Sequence, residues 1–97
     1  MTRKPKPEIK PTRATRRVLL VLLTGATNLS GWPIGHISGT GAGSVYVVLG
    51  RLEREGWITS CWEERFDGRP RRRFYSLTRQ GRAKAIGLLG LQEAGDA

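Results

Sequence analysis

Arginine and lysine side chains supply most of the chemistry available to this 97-residue sequence. There are 17 of them against 8 aspartates and glutamates, and the formal net charge is +9. A guanidinium group stays charged at neutral pH and donates paired hydrogen bonds to phosphate oxygens and to guanine edges. This excess of positive charge favours a polyanionic partner, most commonly nucleic acid. The alternative is a basic surface that serves solubility, or a ribosome-associated protein.

Other reactive side chains are too scarce to predict catalysis or metal binding. Cys61 is the single cysteine and His36 the single histidine, which excludes an intramolecular disulfide and a Cys/His zinc pattern. The sequence contains no nucleophile–base pair and no paired-carboxylate motif. The glycine-rich segment 39–43 lacks the GxxxxGK[ST] pattern of a phosphate loop and follows no strand. We therefore expect a non-enzymatic protein without metal or cofactor, in which Cys61 and His36 are structural.

One amphipathic segment has the spacing needed to present basic side chains on a helix. A helix is predicted over Ser44–Glu55, capped by Ser44 or Gly43 and stopped at Gly56. Its apolar residues recur every three or four positions and predict an inward stripe: Val45, Val48, Leu49 and Leu52. The opposite face holds small and basic residues: Gly43, Ser44, Val47, Gly50, Arg51 and Arg54.

Two helices are predicted before this segment. The apolar run Val18–Leu23 indicates a central helix over residues 13–24, capped by Thr12 or Thr15. A short helix is expected over Trp32–Ser38, and the glycine-rich turn follows it.

Two strands and a last helix are predicted after it. Trp57–Glu64 and Arg71–Leu77 alternate with a period of two, and Asp67-Gly68 between them is a strong hairpin turn signal. Thr78 is expected to cap a last helix over Arg79–Leu91. Its three glycines, 81, 87 and 90, are each expected to cost about 1 kcal/mol relative to alanine in a helix interior.

The two ends of the chain are expected to lie outside the folded domain. Residues 1–12 form a basic, proline-rich arm in which nothing is expected to be buried, residues 13–92 the domain, and residues 93–97 a frayed tail. The arm could contact a minor groove or phosphates, or serve only solubility. The apolar run of six residues is shorter than a signal peptide or membrane span requires, despite the twin-arginine-like Thr15–Arg17. We therefore expect a cytoplasmic protein without a membrane segment.

The order of these elements predicts a mainly α fold with a small β-hairpin, the winged helix-turn-helix. In that fold the Ser44–Glu55 helix enters the DNA major groove, which is about 12 Å wide, and the hairpin, or wing, reaches the flanking backbone or the minor groove. Arg51 would bond guanine and Val47 would touch a thymine methyl group. The alternatives are that Arg51 pairs with Glu55, four residues on, and that the hairpin arginines are merely solvated.

Several stretches of the sequence resemble PadR-like transcriptional regulators. Residues 43–58, GSVYVVLGRLEREGWI, resemble the recognition-helix motif, and residues 62–64 and 68–78 with Gly81 resemble the wing and its exit. The resemblance spans about residues 15–86. It implies a bacterial, usually homodimeric regulator, often a repressor of nearby genes and sometimes released by a small molecule. Two features depart from the family pattern. The segment before the recognition helix is unusually rich in glycine. The last helix is short, whereas many relatives dimerise through a longer one.

Nine side chains are expected to contact DNA. Those expected to contact base edges are Ser44, Val47 and Arg51. Those expected to contact phosphates are Tyr46, Arg54, Arg69, Arg71, Arg72 and Arg73. The role of Tyr46 is implied by the resemblance, and its alternative is a half-buried ring whose hydroxyl meets solvent. Strand alternation separates Arg72 from Arg71 and Arg73, so these three are not expected to reach the same phosphates.

These patterns favour a sequence-specific DNA-binding transcriptional regulator, and the resemblance implies that it is a repressor. The alternative is a winged-helix module that docks protein or RNA without specific DNA readout. The expected partner is double-stranded DNA, and a homodimer stays open. The three tryptophans, 32, 57 and 62, are expected in the core or at a dimer contact, with a ligand pocket for a small-molecule effector as the alternative.

Overall fold

The computed structural model describes residues 9–25 and 29–91. They form α1 (Arg13–Leu23), α2 (Gly31–Ser38), α3 (Ala42–Arg54), β1 (Ile58–Trp62), β2 (Arg73–Leu77) and α4 (Arg79–Leu89). This order confirms the mainly α, winged helix-turn-helix fold. Residues 1–8 of the expected arm and the expected tail, 93–97, lie outside the described residues. None of the helices in the described ranges has the length and apolar character needed to cross a bilayer.

Helix α1 begins at a threonine cap and passes through the centre of the domain. The Thr12 hydroxyl oxygen accepts a hydrogen bond from the Thr15 N–H at 3.2 Å, which satisfies a backbone donor that the first turn leaves unpaired. Val18 and Leu19 are fully buried, whereas Leu20 is 48% exposed. Helix α1 is therefore central, but one side of its apolar run faces solvent.

Two left-handed glycines make the turn between α2 and α3. Gly39 has φ 74° and ψ 15°, and the N–H of the next residue, Thr40, reaches back to the Gly35 carbonyl at 3.1 Å. Gly41, with φ 82°, is the N-cap residue of α3. The prediction of a cap at Gly43 or Ser44 is therefore wrong. The helix starts at Ala42 because the chain has already completed its reversal at Gly41.

The inward stripe of α3 holds this helix on the core. Val45, Val48, Leu49 and Leu52 are at most 6% exposed, which confirms the predicted stripe. They belong to one cluster with residues of α1 and with Ile34 of α2. Since truncating one such side chain to alanine typically costs about 2–5 kcal/mol, the stripe fixes which face of α3 is left outside.

The hairpin is antiparallel and joins the segment before α2. Ile58 pairs with Leu77, and Trp62 pairs with Arg73. The Tyr75 N–H donates to the Leu29 carbonyl at 2.8 Å, and this bond ties β2 to the chain just before α2. The strands are shorter than the predicted ranges, so residues 63–72 form a long tip between them.

Helix α4 begins in close contact with the backbone of Trp57. Its cap, Thr78, accepts a hydrogen bond from the Gly81 N–H at 2.9 Å and donates to the Gly56 carbonyl at 2.8 Å. Gly81 is buried, and a Cβ there would overlap the Trp57 carbonyl. The helix ends at Leu89 with Gly90 as a left-handed C-cap, so the prediction that Gly90 lies inside the helix is wrong.

Ile9 contradicts the expectation that nothing in residues 1–12 is buried. It is 8% exposed and belongs to the core cluster. It shares a cleft with Thr15 of α1 and with Val48 and Leu52 of α3. A lone apolar residue between charged ones produces no periodic pattern, and its burial depends on a cleft that forms only when α1 packs on α3.

Candidate nucleic-acid interface

The outward face of α3 is uncovered along its whole length. Ser44, Val47 and Arg51 are all exposed, and their spacing of three and four residues places them in one line on this face. The aliphatic side chain of Val47 is itself 54% exposed. The three expected base-contacting residues are therefore brought together, at a surface that the described chain does not cover.

Arg51 is available to an external partner. Among residues 9–25 and 29–91 it forms no ion pair, with Glu55 or with any other carboxylate. Lys10 and Arg54 line the same shallow cleft of about 250 Å³ as Arg51. Because Ile9 is buried beside α3, Lys10 lies near the end of this helix, where Arg51, Arg54 and Glu55 line the same cleft. On sequence alone Lys10 falls in the expected N-terminal arm, where no pattern places it beside α3.

A second, larger cleft opens between the start of α2 and the hairpin. This wing cleft has a volume of about 710 Å³, and its walls combine aromatic and basic side chains. Its lining residues are Ser30, Gly31, Trp32, Pro33, Tyr46, Trp62, Arg71, Arg72, Arg73 and Tyr75. A helix N-terminus carries partial positive charge, so the first turn of α2 reinforces the arginines on the opposite wall. The cleft is therefore suited to an anion.

Tyr46 reaches the wing cleft from α3 because residue 31 has no side chain. A Cβ on Gly31 would lie 2.7 Å from Tyr46 Cζ and 2.8 Å from the hydroxyl oxygen. Tyr46 is 53% exposed. The glycine lets the Tyr46 ring lie against the start of α2 and leaves its hydroxyl group at the cleft.

The four wing arginines named in the sequence analysis fall into two groups. Arg71 and Arg72 are exposed, and within the described residues their guanidinium groups have no carboxylate partner. Arg69 is 74% exposed and lies 3.8 Å from Asp67, at the limit of an ion pair. Arg73 is different, because its guanidinium group is bonded to other side chains while 42% of the side chain stays exposed.

Arg73 closes a network with residues of α3 and β1. Its Nη2 atom lies 2.9 Å from Glu53 Oε2 and 3.2 Å from Oε1, and its Nε–H donates to Ser60 Oγ at 2.8 Å. The Ser60 hydroxyl in turn donates to Glu53 Oε2 at 2.6 Å. The guanidinium carbon lies 5.6 Å from the Trp62 ring centroid and 5.8 Å from that of Tyr75. Burial raises the pKa of Tyr75, and the positive charge of Arg73 partly opposes this rise.

The wing tip is organised around Asp67. Arg65 donates to both carboxylate oxygens of Asp67 at 3.0 Å, and this pairing lowers the pKa of the carboxyl group. Asp67 also accepts the Arg69 N–H at 3.2 Å, next to Gly68 with φ 79°. Phe66 is 92% exposed at this tip. The chain therefore bends at Asp67-Gly68, held by the Asp67 side chain and not by a tight turn next to the paired strands, and Arg65 is a partner that the sequence pattern did not reveal.

The remaining singled-out residues do not form a further site in the described parts of the chain. Cys61 is exposed, and no three His, Cys, Asp or Glu side chains in those parts are grouped to hold a metal ion. His36 stacks on Trp32 at 5.1 Å between ring centroids. Trp57 is buried, as expected for a core residue, but Trp32 and Trp62 are 66% and 59% exposed at the wing cleft.

The anchored α3, its open basic face and the basic hairpin define a winged helix-turn-helix protein. The transcriptional regulator PadR-like family matches residues 34–86, just over half of the chain. The chain therefore belongs to the PadR-like family of transcriptional regulators. The members of this family are described as transcriptional regulators.

Two solved structures share this fold, and one of them is a transcriptional regulator. The chain is 25% identical to the transcriptional regulator PA4135, with a TM-score of 0.66, and the match covers 81% of this chain and 55% of that one. It is 22% identical to the circadian clock associated protein Pex from anabaena, with a TM-score of 0.65 and coverage of 84% and 76%, which shows a shared fold. The chain thus spans little more than half the length of PA4135. Comparison with curated proteins gives no significant match.

Proposed function

We propose that this PadR-family regulator binds duplex DNA in a sequence-specific manner and represses transcription by occupying its site. The observation that carries the proposal is the open face of α3, where Arg51 has no carboxylate partner in the described chain. Repression is the outcome that the family resemblance implies, and blocking access to a promoter requires only that the site is occupied. Such a protein would act in the cytoplasm, where bacterial DNA lies.

Base discrimination is assigned to three side chains on α3. Arg51 would donate two hydrogen bonds to a guanine, and Val47 would contact a thymine methyl group. Ser44, in the first turn, is short and bonds to either kind of base edge. Their common line along the helix supports insertion of α3 into the major groove, where each base pair presents a distinct pattern.

Phosphate contacts are assigned to the residues around that face. Tyr46, at the wing cleft, and Arg54, beside Arg51, would contact the backbone next to the groove. Three exposed wing arginines would do the same on the flanking DNA: Arg69, Arg71 and Arg72. These contacts would fix position and affinity but carry little sequence information. Arg73, also expected to contact phosphate, receives a different role in the next subsection.

Fluorescence anisotropy with duplexes selected from a random pool tests the proposal. Arg51→Ala should reduce the discrimination between selected and scrambled duplexes. Arg71→Ala should weaken both duplexes and reduce the slope of log K against log salt by about 0.9. Arg82→Ala is the matched control, because Arg82 is exposed on α4, which packs on α1 and β2.

Two outcomes would contradict the proposal, and two further ones bear on assembly and on an effector. Equal binding of every duplex by the unmodified chain would exclude a specific regulator. Tight RNA binding without duplex binding would favour the alternative interaction module. A selected site without two-fold symmetry would count against a homodimer on DNA, whereas a palindromic site would support one. Release of the duplex by an added small molecule would be needed to support an effector.

A further inference from the structure

We propose that Arg73 is a positioning residue that sets the angle between the wing and α3 through Glu53 and Ser60. This role rests on the proposed function, because the angle between the wing and α3 matters only if both contact the same DNA duplex. Arg73 would then support the neighbouring wing arginines without itself contacting a phosphate.

The network joins three elements at one point. Glu53 lies in the last turn of α3, Ser60 in the middle of β1 and Arg73 at the start of β2. Each residue bonds to the other two, at 2.6, 2.8 and 2.9 Å, so the hydrogen bonds form a closed triangle. Movement of the hairpin relative to α3 would break at least two of these bonds.

Arg73 uses two of its three guanidinium nitrogens within the protein, and its side chain keeps 42% of its area exposed. Its Nε and Nη2 donors already face Ser60 and Glu53, and the Trp62 and Tyr75 rings lie beside its guanidinium group. A phosphate that drew Arg73 away would leave the Glu53 carboxylate uncompensated close to the DNA backbone. Arg71 and Arg72, two and one residues earlier, have no such partner among the described residues and carry their charge outward.

A wing of this kind needs an external brace. A two-stranded hairpin is marginally stable in water on its own, and here residues 63–72 extend beyond the paired strands, joined at their base by the Glu63 N–H, which donates to the Arg72 carbonyl at 2.7 Å. The wing arginines benefit from a helix already bound in the groove only if their distance from it is nearly fixed. Otherwise the effective concentration of the second contact falls. One exposed ion pair contributes little to the free energy of unfolding. A closed network of three groups nevertheless restricts the orientation of the hairpin relative to α3.

Binding measurements with neutral variants distinguish a brace from a phosphate ligand. Arg73→Gln, Glu53→Gln and the double variant are compared on the selected duplex, with Arg71→Gln as the control for a phosphate contact. We expect each single variant to bind about 3- to 10-fold more weakly, and the double variant no more weakly than either. The salt slope should stay unchanged in Arg73→Gln but fall by about 0.9 in Arg71→Gln.

The sign of the Glu53→Gln effect separates the two roles. If Arg73 were a phosphate ligand, removing the nearby carboxylate would strengthen binding, and Arg73→Gln would lower the salt slope. Either result would overturn the proposal. The swapped pair Glu53→Arg with Arg73→Glu should recover part of the affinity lost in the single charge reversals, which a phosphate ligand would not allow. Circular dichroism would establish that each variant is folded.

A measurement without DNA keeps this test separate from the proposed function. Spin labels at Gly50→Cys on α3 and Phe66→Cys at the wing tip, with Cys61→Ser, report the distance between the two surfaces. Position 50 has open space around a Cβ, and Phe66 is 92% exposed. The distance distribution should be broader in Glu53→Gln and Arg73→Gln. Distance distributions identical to that of the unmodified chain would overturn the proposal even if DNA binding is confirmed. Broader distributions would support the brace even if the protein does not bind DNA.

Discussion

Replacing Gly81 with alanine should destabilise the protein, although the same change ordinarily stabilises a helix. Glycine costs about 1 kcal/mol relative to alanine in a helix interior, so propensity alone predicts a gain. In this fold Gly81 lies in the first turn of α4 against the main chain of Trp57. A Cβ would overlap the Trp57 carbonyl and lie 2.6 Å from Trp57 Cα, so backbone and not a flexible side chain would have to move.

The magnitude follows from the bonds that meet at this contact. The Trp57 carbonyl accepts from the Thr78 N–H at 2.9 Å and from its hydroxyl group at 3.1 Å, and the same hydroxyl oxygen caps Gly81. Overpacking costs about 1–3 kcal/mol, and loss of the cap about 1 kcal/mol more. After the gain in propensity, we expect a net loss of about 1–3 kcal/mol, a large part of the 5–15 kcal/mol typical of a small domain.

Urea denaturation of Gly81→Ala and Gly87→Ala measures this effect with an internal control. Gly87 lies in the same helix, is exposed and has open space around a Cβ. Gly87→Ala should therefore raise the midpoint, by up to about 1 kcal/mol in stability, while Gly81→Ala lowers it. Stabilisation by both substitutions would refute the argument that the Trp57 backbone excludes a side chain at position 81.

Three further predictions concern Ile9, Gly31 and Tyr75. Ile9→Ala should lower the free energy of unfolding by about 2 kcal/mol in urea, whereas Lys10→Ala should leave it nearly unchanged. Gly31→Ala should displace the Tyr46 ring and weaken duplex binding in anisotropy more than it lowers the urea midpoint. Burial raises the pKa of the Tyr75 hydroxyl group. The neutral side chain therefore contributes fully to the free energy of unfolding below pH 10, and this contribution is lost as pH rises through the folded-state pKa. Tyr75→Phe should lose less stability than the unmodified chain in that alkaline range.

Local periodic patterns made the framework of the fold predictable. The stripe from Val45 to Leu52 and the alternation around Asp67-Gly68 each repeat within a few residues, so neighbouring side chains report the same face. The ends of the helices and strands were harder to predict. The start of α3 depends on how Gly39 and Gly41 complete a turn against α2, and serine near a helix start suggested a cap that the backbone does not use.

Contacts between distant parts of the sequence could not be predicted in this way. Ile9 has no apolar neighbour to give it a pattern, and its burial needs both α1 and α3 in place. The Glu53–Arg73 pair spans twenty residues, and any of several nearby arginines could have been the partner of Glu53. The close approach of Gly81 to Trp57 is likewise a property of packing, which composition and propensity do not contain.

The arginines of this domain indicate why net charge alone could not define the interface. Arg51 lies open on α3, Arg65 is committed to Asp67 at the wing tip, and Arg73, still 42% exposed, is bonded to a carboxylate and a hydroxyl. All three contribute equally to the formal charge of the chain, and all attract DNA at long range. At contact distance only a guanidinium group whose donors are unused offers new hydrogen bonds to a base or phosphate. The proposed interface is therefore defined by the arginines that the fold leaves unpaired, and the paired ones give it shape.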